Sequence, residues 1–154
     1  VGDARQTGGG LHETRRGGHL SIHADFNFHP RTKLRRRLNL ILFLNDDWDE
    51  SWGGALELWD RSMSRCVKSV LPLIGRAVVF NTDTYSYHGH PDPLNTPDDR
   101  SRRSIALYYY SMPQGVAFPH STIFRARPGS GDTNTSTVAR VRKTLSLLMG
   151  GKPE

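Results

Sequence analysis

One cysteine, Cys66, stands in a chain of 154 residues. A lone thiol excludes an internal disulfide and any cysteine-rich zinc knuckle, and it sets the expectation of a reducing, cytoplasmic compartment. The chain also lacks an apolar run long enough to cross a bilayer and a signal-peptide pattern, so no membrane partner is expected. It lacks internal repeats, and position 1 is Val1 rather than Met, which reads as a fragment or a processed product. Hydrophobic residues make up only 36% of it, enough at this length for one domain with one core. Acidic residues are outnumbered, leaving a net charge of +6. Much of the excess lies in clusters, Arg35-Arg36-Arg37 and Arg100 with Arg102-Arg103. Such clusters read as solvated faces that leave room for an anionic partner, nucleic acid included.

The periodic signals present are short and strand-like, which predicts an antiparallel β protein. Residues 1–18 read as Gly-rich loop with a short strand from Leu11 to Thr14, and residues 19–25 as the first firm strand. Asn27 to Pro30 turns the chain and carries His29, read as surface; His12 and His19 are read as exposed. Residues 37–45 form the most hydrophobic run, predicted as a central strand buried on both faces and paired as a hairpin with a strand over 55–59. Further strands are predicted at 66–70, at 76–80 (buried), at 87–90 and at 102–111, where Tyr108, Tyr109 and Tyr110 read as strand core. A polar linker follows, and apolar spacing at Val138, Val141, Leu145 and Leu148 predicts a helix over 136–149. The domain therefore spans 1–125, with 126–154 as linker and helix.

Chemistry-bearing residues concentrate at His23-Ala24-Asp25. Side chains two apart in a strand leave the same face about 6–7 Å apart, so an imidazole and a carboxylate at that spacing can converge on one ion. His88, in Tyr87-His88-Gly89-His90, is a third candidate ligand that only a fold joining distant strands can bring in. Two His and one carboxylate with the opposite side open is the arrangement of non-haem Fe(II) oxygenases.

The order of motifs extends this. His23-x-Asp25, the Leu44-Asn45-x-Asp47-Trp48 corner, Gly53-Gly54 before Ala55-Leu56-Glu57-Leu58, Gly75-Arg76 before Val78-Val79-Phe80, His88, and Arg102-x-Ser104-Ile105-Ala106-Leu107-Tyr108 follow one another between residues 12 and 111. In this the chain resembles the Fe(II)- and 2-oxoglutarate-dependent dioxygenases, most closely the prolyl 4-hydroxylase-like group. The resemblance implies a mainly β, double-stranded β-helix (jelly-roll, cupin-like) fold with Fe(II) and 2-oxoglutarate as cofactor and cosubstrate, and ascorbate as an accessory reductant. It implies that His23, Asp25 and His88 bind the iron. It also implies that a basic residue on the last strand pairs with the distal carboxylate of 2-oxoglutarate. Arg102, which shares a strand face with Ser104, is preferred for that role over Arg103, which points the other way unless a bulge intervenes. His90 shares a face with His88 and competes with it as ligand, the position match favouring His88.

The chain departs from the family at Phe43, where a Tyr that donates to the cosubstrate is common; Asn39 or Ser104 is the expected substitute. The longer loop between His88 and Arg102 bears on substrate choice. Helices that cover the main sheet in this family are read as missing, leaving Ile105, Leu107 and the outer face of residues 38–44 partly bare. The implied reaction is hydroxylation of a C–H bond of a peptide, peptidyl-proline above all, or of a small molecule, with release of succinate and carbon dioxide. Two alternatives stand beside it: a zinc hydrolase using the same His/Asp/His ligands, and a non-catalytic metal-binding β-barrel module.

Overall fold

The computed structural model describes residues 1–115, 118–132 and 134. Among them the strands are β1 (Gly10–Thr14), β2 (Leu20–Ala24), β3 (Arg35–Phe43), β4 (Leu56–Trp59), β5 (Cys66–Val70), β6 (Ala77–Asn81), β7 (His88–His90), β8 (Arg102–Ser111) and β9 (Ile123–Phe124). They form two antiparallel sheets in the orders β1-β8-β3-β6 and β5-β4-β7-β2-β9. From β1 to β8 the chain alternates between sheets, β4 and β5 alone remaining together as a hairpin. That alternation is the double-stranded β-helix, or jelly roll. The predicted helix over 136–149 lies outside the described residues.

β3 is central in its sheet, as its apolar run predicts, but its two faces differ. Asn39 and Phe43 are buried with Ile41 between them, and they meet Tyr108, Ser104 and Ala106 across the ladder. Leu38, Leu40 and Leu42, on the other face, are only half-buried beside Tyr109, Leu107 and Ile105. The expectation of burial on both faces is corrected; the partly bare outer face at Ile105 and Leu107 is observed. Pairing is corrected too. Both edges of β3 are taken by β6 and β8, so the strand over 56–59 cannot form a hairpin with it and joins the second sheet. The crossing starts at Asn45, whose side-chain amide donates to the carbonyls of Pro72 and Arg103 and accepts from the Arg103 N–H.

β6 is an edge strand rather than a buried one. Its ladder is occupied on one side only, and Val79 is 59% exposed while Val78 and Phe80 turn inward. His29, read as surface, is 5% exposed. Its Nδ1 accepts the backbone N–H groups of Arg31 and Thr32, and its Nε2 lies 3.4 Å from Asp3, so the turn closes around the ring. His12 and His19 are exposed as predicted. Two apolar clusters sit inside: Ile22, Ala24 and Tyr87 with Trp59, and Ala106, Tyr108 and Tyr110 with Phe26, Leu34 and Ile41. Full burial of each large apolar side chain contributes about 1.5–3 kcal/mol.

Candidate active site

A cavity of about 690 Å³ opens between the sheets, reached by side chains of seven strands. On its floor β2 and β7 pair with His23 opposite His88, and their rings lie 4.5 Å apart between centroids. Such close approach needs Gly89, where a Cβ would come within 2.6 Å of the Leu20 carbonyl oxygen. Asp25 follows the end of β2, with one carboxylate oxygen 3.6 Å from His23 Nε2 and the other 3.3 Å from His88 Nε2. One donor atom from each of His23, Asp25 and His88 lies within 4.8 Å of the others.

The proton positions favour a cation at this point. His23 Nδ1 is 2.8 Å from the Ser21 carbonyl and His88 Nδ1 is 2.9 Å from the Ser86 carbonyl. A carbonyl only accepts, so each Nδ1 carries the proton. Nε2 of each ring is thereby turned toward the Asp25 carboxylate: protonated, it donates to that carboxylate, and neutral, it offers a lone pair with which the carboxylate can share a cation. Burial by itself would raise the Asp25 pKa. Hydrogen bonds from His23 and His88, with the charges of His88 and Arg36, outweigh it and hold this carboxyl well below the usual range. These residues fit a divalent metal.

Arg102 and Ser104 reach the same cavity from β8, and both are buried. Arg103 points outward and meets Glu13 at 3.7 Å. Arg102 donates through Nε to the Gly54 carbonyl at 2.7 Å, and its guanidinium lies 5.1 Å from the Phe43 ring centroid. Gly54 has φ +72°, and a Cβ there would meet Leu94 at 2.6 Å and the Arg102 side chain at 3.0 Å. The Gly53-Gly54 pair thus lets the backbone approach Arg102. Among the described residues no carboxylate pairs with Arg102, and burial lowers its pKa to about 10. A cation so placed has an unmet need for an anion.

His90 also lines the cavity, but it is not part of the three-residue cluster. Its Nδ1 is buried without a hydrogen-bond partner, and burial, reinforced by the charge of Arg102, lowers its pKa to about 3. Asn39 lines the cavity with its amide committed to Asp25 and Arg36.

Two contributors escaped the sequence reading. Phe124 of the short β9 walls the cavity, its ring 5.5 Å from that of His23; a two-residue strand has no periodicity to reveal it. Arg36, read as part of a solvated cluster, is 0% exposed and donates to Asp25 at 3.0 Å. Simple alternation along β3 from Asn39 points Arg37 inward. The register slips between Arg36 and Leu38, so a bulge turns Arg37 out and Arg36 in.

A family model described as 2OG-Fe(II) oxygenase superfamily matches residues 9–110. Over 79 residues, 49% of the chain, it is 33% identical to mouse (Mus musculus) prolyl 3-hydroxylase OGFOD1, of whose length that match covers 14%. Among solved structures, a Pseudomonas putida prolyl-4-hydroxylase aligns with TM-score 0.47 and 19% identity over 65% of this chain and 49% of its own. A prolyl 4-hydroxylase of Phytophthora capsici aligns with TM-score 0.48 and 26% identity over 64% of this chain and 30% of its own.

Proposed function

Because this chain belongs to the 2OG-Fe(II) oxygenase superfamily, we propose that it hydroxylates a C–H bond of a prolyl residue in a peptide, using Fe(II) and 2-oxoglutarate. The name of the mouse relative, a prolyl 3-hydroxylase, supports a peptidyl-prolyl substrate. The single observation that carries the reading is the pairing, in one cavity, of a His23/Asp25/His88 cluster with the buried and unpaired Arg102.

In this reading His23, Asp25 and His88 hold the iron. Bound Fe(II) with 2-oxoglutarate supplies the activation of dioxygen that places one oxygen atom in the substrate C–H bond and yields succinate and carbon dioxide. The backbone carbonyls of Ser21 and Ser86 fix each imidazole with Nε2 directed at the metal position. Arg102 pairs with the distal carboxylate of the cosubstrate, with Ser104 beside it on the same strand face, and the Gly54 carbonyl fixes the direction of the guanidinium. Phe43 packs against the Arg102 guanidinium, and Leu56 and Ile41 add apolar surface to the same cavity, which strengthens the ion pair by excluding water. Exposed His12 and His19 stand at the cavity with Thr122 and Phe124, where a substrate would enter. Ascorbate would serve only to restore Fe(II). A zinc hydrolase built on the same three ligands leaves the unpaired Arg102 without a purpose.

An anaerobic titration of the chain with Fe(II) and then 2-oxoglutarate tests the reading. The expected result is the visible charge-transfer band of a chelated 2-oxoacid, followed by succinate formation in air when prolyl peptides are added. Metal binding with no band and no succinate would instead identify a non-catalytic metal-binding module.

A further inference from the structure

Asp25 also anchors a network that the iron ligands do not explain. Arg36 is 0% and Asn39 2% exposed, and both are polar side chains in the interior of a small β protein. Arg36 donates through Nε to Asn39 Oδ1 at 2.9 Å and through Nη2 to Asp25 Oδ2 at 3.0 Å. Asn39 donates through Nδ2 to the same Asp25 Oδ2 at 2.8 Å.

The orientation of the Asn39 amide is dictated by its neighbours. A guanidinium only donates and a carboxylate only accepts, so the amide oxygen must face Arg36 and the amide nitrogen must face Asp25. Reversed, it would set donor against donor and acceptor against acceptor, two buried mismatches at once. Arg36 is itself immobilised, its guanidinium carbon 3.3 Å above the centroid of the Tyr108 ring and 4.7 Å from that of Phe26. The Tyr108 hydroxyl in turn donates to the Gly8 carbonyl at 2.8 Å. Order thus runs from the aromatic core through Arg36 and Asn39 to one oxygen of Asp25.

We propose that Asn39, locked by Arg36, is a positioning residue for Asp25: two donors on Oδ2, the oxygen 3.3 Å from His88 Nε2, fix the carboxylate in the pose that leaves Oδ1, 3.6 Å from His23 Nε2, open to the metal. Asn39 then acts on the iron through Asp25 and does not bind the cosubstrate, although it lines the cavity. The proposal rests on the iron-site reading above. Asn39 is the better probe of it than Arg36, because its removal changes no charge near a divalent ion and so separates pose from electrostatics.

The test compares the whole chain with its Asn39→Leu and Asn39→Ala variants. Leu keeps the branching and heavy-atom count of Asn, so one variant fills the site if the smaller one unfolds. Co(II) affinity is measured by anaerobic calorimetry, the Co(II) visible spectrum reports coordination, metal-free melting reports stability, and 2-oxoglutarate affinity is measured at saturating metal. Support consists of Co(II) affinity falling about 10- to 100-fold, the loss typical for a partner that orients a ligand, with an altered Co(II) spectrum and unchanged 2-oxoglutarate affinity. Unchanged Co(II) affinity with weakened 2-oxoglutarate binding would make Asn39 a cosubstrate contact and overturn the proposal. A lowered melting temperature with metal and cosubstrate affinities both unchanged would reduce it to a structural residue and overturn it equally. If the unaltered chain binds neither Co(II) nor Fe(II), the iron-site reading itself falls and takes this one with it.

Discussion

Two buried arginines in one small barrel have opposite surroundings. Arg36 lies between two aromatic rings, with a carboxylate at 3.0 Å and an amide beside it, and it does not line the cavity. Arg102 lines the cavity, holds one backbone carbonyl, and has no carboxylate partner among the described residues. Burying a guanidinium costs several kcal/mol unless an anion repays it. The protein supplies that anion for Arg36 from its own chain. For Arg102 it leaves the cost standing, and a group that destabilises the empty fold is accounted for by a ligand that completes it.

The contrast breaks most visibly at Asp25. Asp25→Leu strands Arg36 as an uncompensated interior charge, and the expected loss is about 3–5 kcal/mol of folding free energy, read by urea unfolding of the metal-free chain. Adding Arg36→Met to that variant should recover much of the loss, since an apolar pair of similar volume replaces the ion pair. If the double variant is as unstable as the single one, the two side chains are not a charge pair in any energetic sense.

Arg102→Met should not bring such a loss. With no carboxylate to orphan, relief of the buried charge offsets the lost hydrogen bond to the Gly54 carbonyl and leaves the metal-free chain about as stable as before. The same change weakens 2-oxoglutarate by about 2–5 kcal/mol, the cost of truncating one side of a buried hydrogen-bonded charge pair, while Fe(II) still binds. Arg103→Ala is the control: exposed and, among the described residues, paired with Glu13 at 3.7 Å and the Ser101 hydroxyl, it should leave both measurements close to those of the unaltered chain. Loss of stability in Arg102→Met of the size seen in Asp25→Leu would erase the distinction between the two arginines.

The same pair of residues explains which parts of the molecule were legible in the sequence. Arg102 sits on an uninterrupted strand, so period-two alternation puts it on one face with Ser104, Ala106 and Tyr108, and the resemblance of Arg102-x-Ser104 to the family pattern marks that face as the inner one, as the structure shows. Arg36 sits next to a bulge, and one extra residue reverses the alternation there, which no composition rule reveals. His23, Asp25 and His88 were singled out by the order of motifs and the family resemblance it carries, and the strands that cross between sheets bring the three side chains to one point. Pairing partners were less readable. The apolar runs at β3 and β4 look like a hairpin locally, yet β3 has its two edges taken by β6 and β8, which come later in the chain. His29 was misread for the related reason that its burial depends on Asp3, distant in sequence.

A basic group sharpens the comparison at smaller scale, for His90 stands in the cavity of Arg102 and is buried without a charge. Burial first, and then the charges of Arg102, His19 and His23, hold its pKa near 3. An unfolded chain releases it to about 6.5, so between those values the unfolded state takes up a proton that the folded state refuses. Acid therefore favours unfolding. The contribution of His90 is fully present above about pH 6.5 and is lost as pH falls toward 3, at about 1.4 kcal/mol per pH unit within that window. Asp25, held well below 3.8, has the same sign but acts only at more acid pH, as that carboxyl begins to titrate in the unfolded chain. Urea unfolding of the metal-free chain between pH 5 and 6.5 therefore isolates the imidazole, and His90→Leu should flatten the slope there. A slope that survives the substitution would mean that another of the seven histidines supplies it, and that His90 does not distinguish the two states in this range.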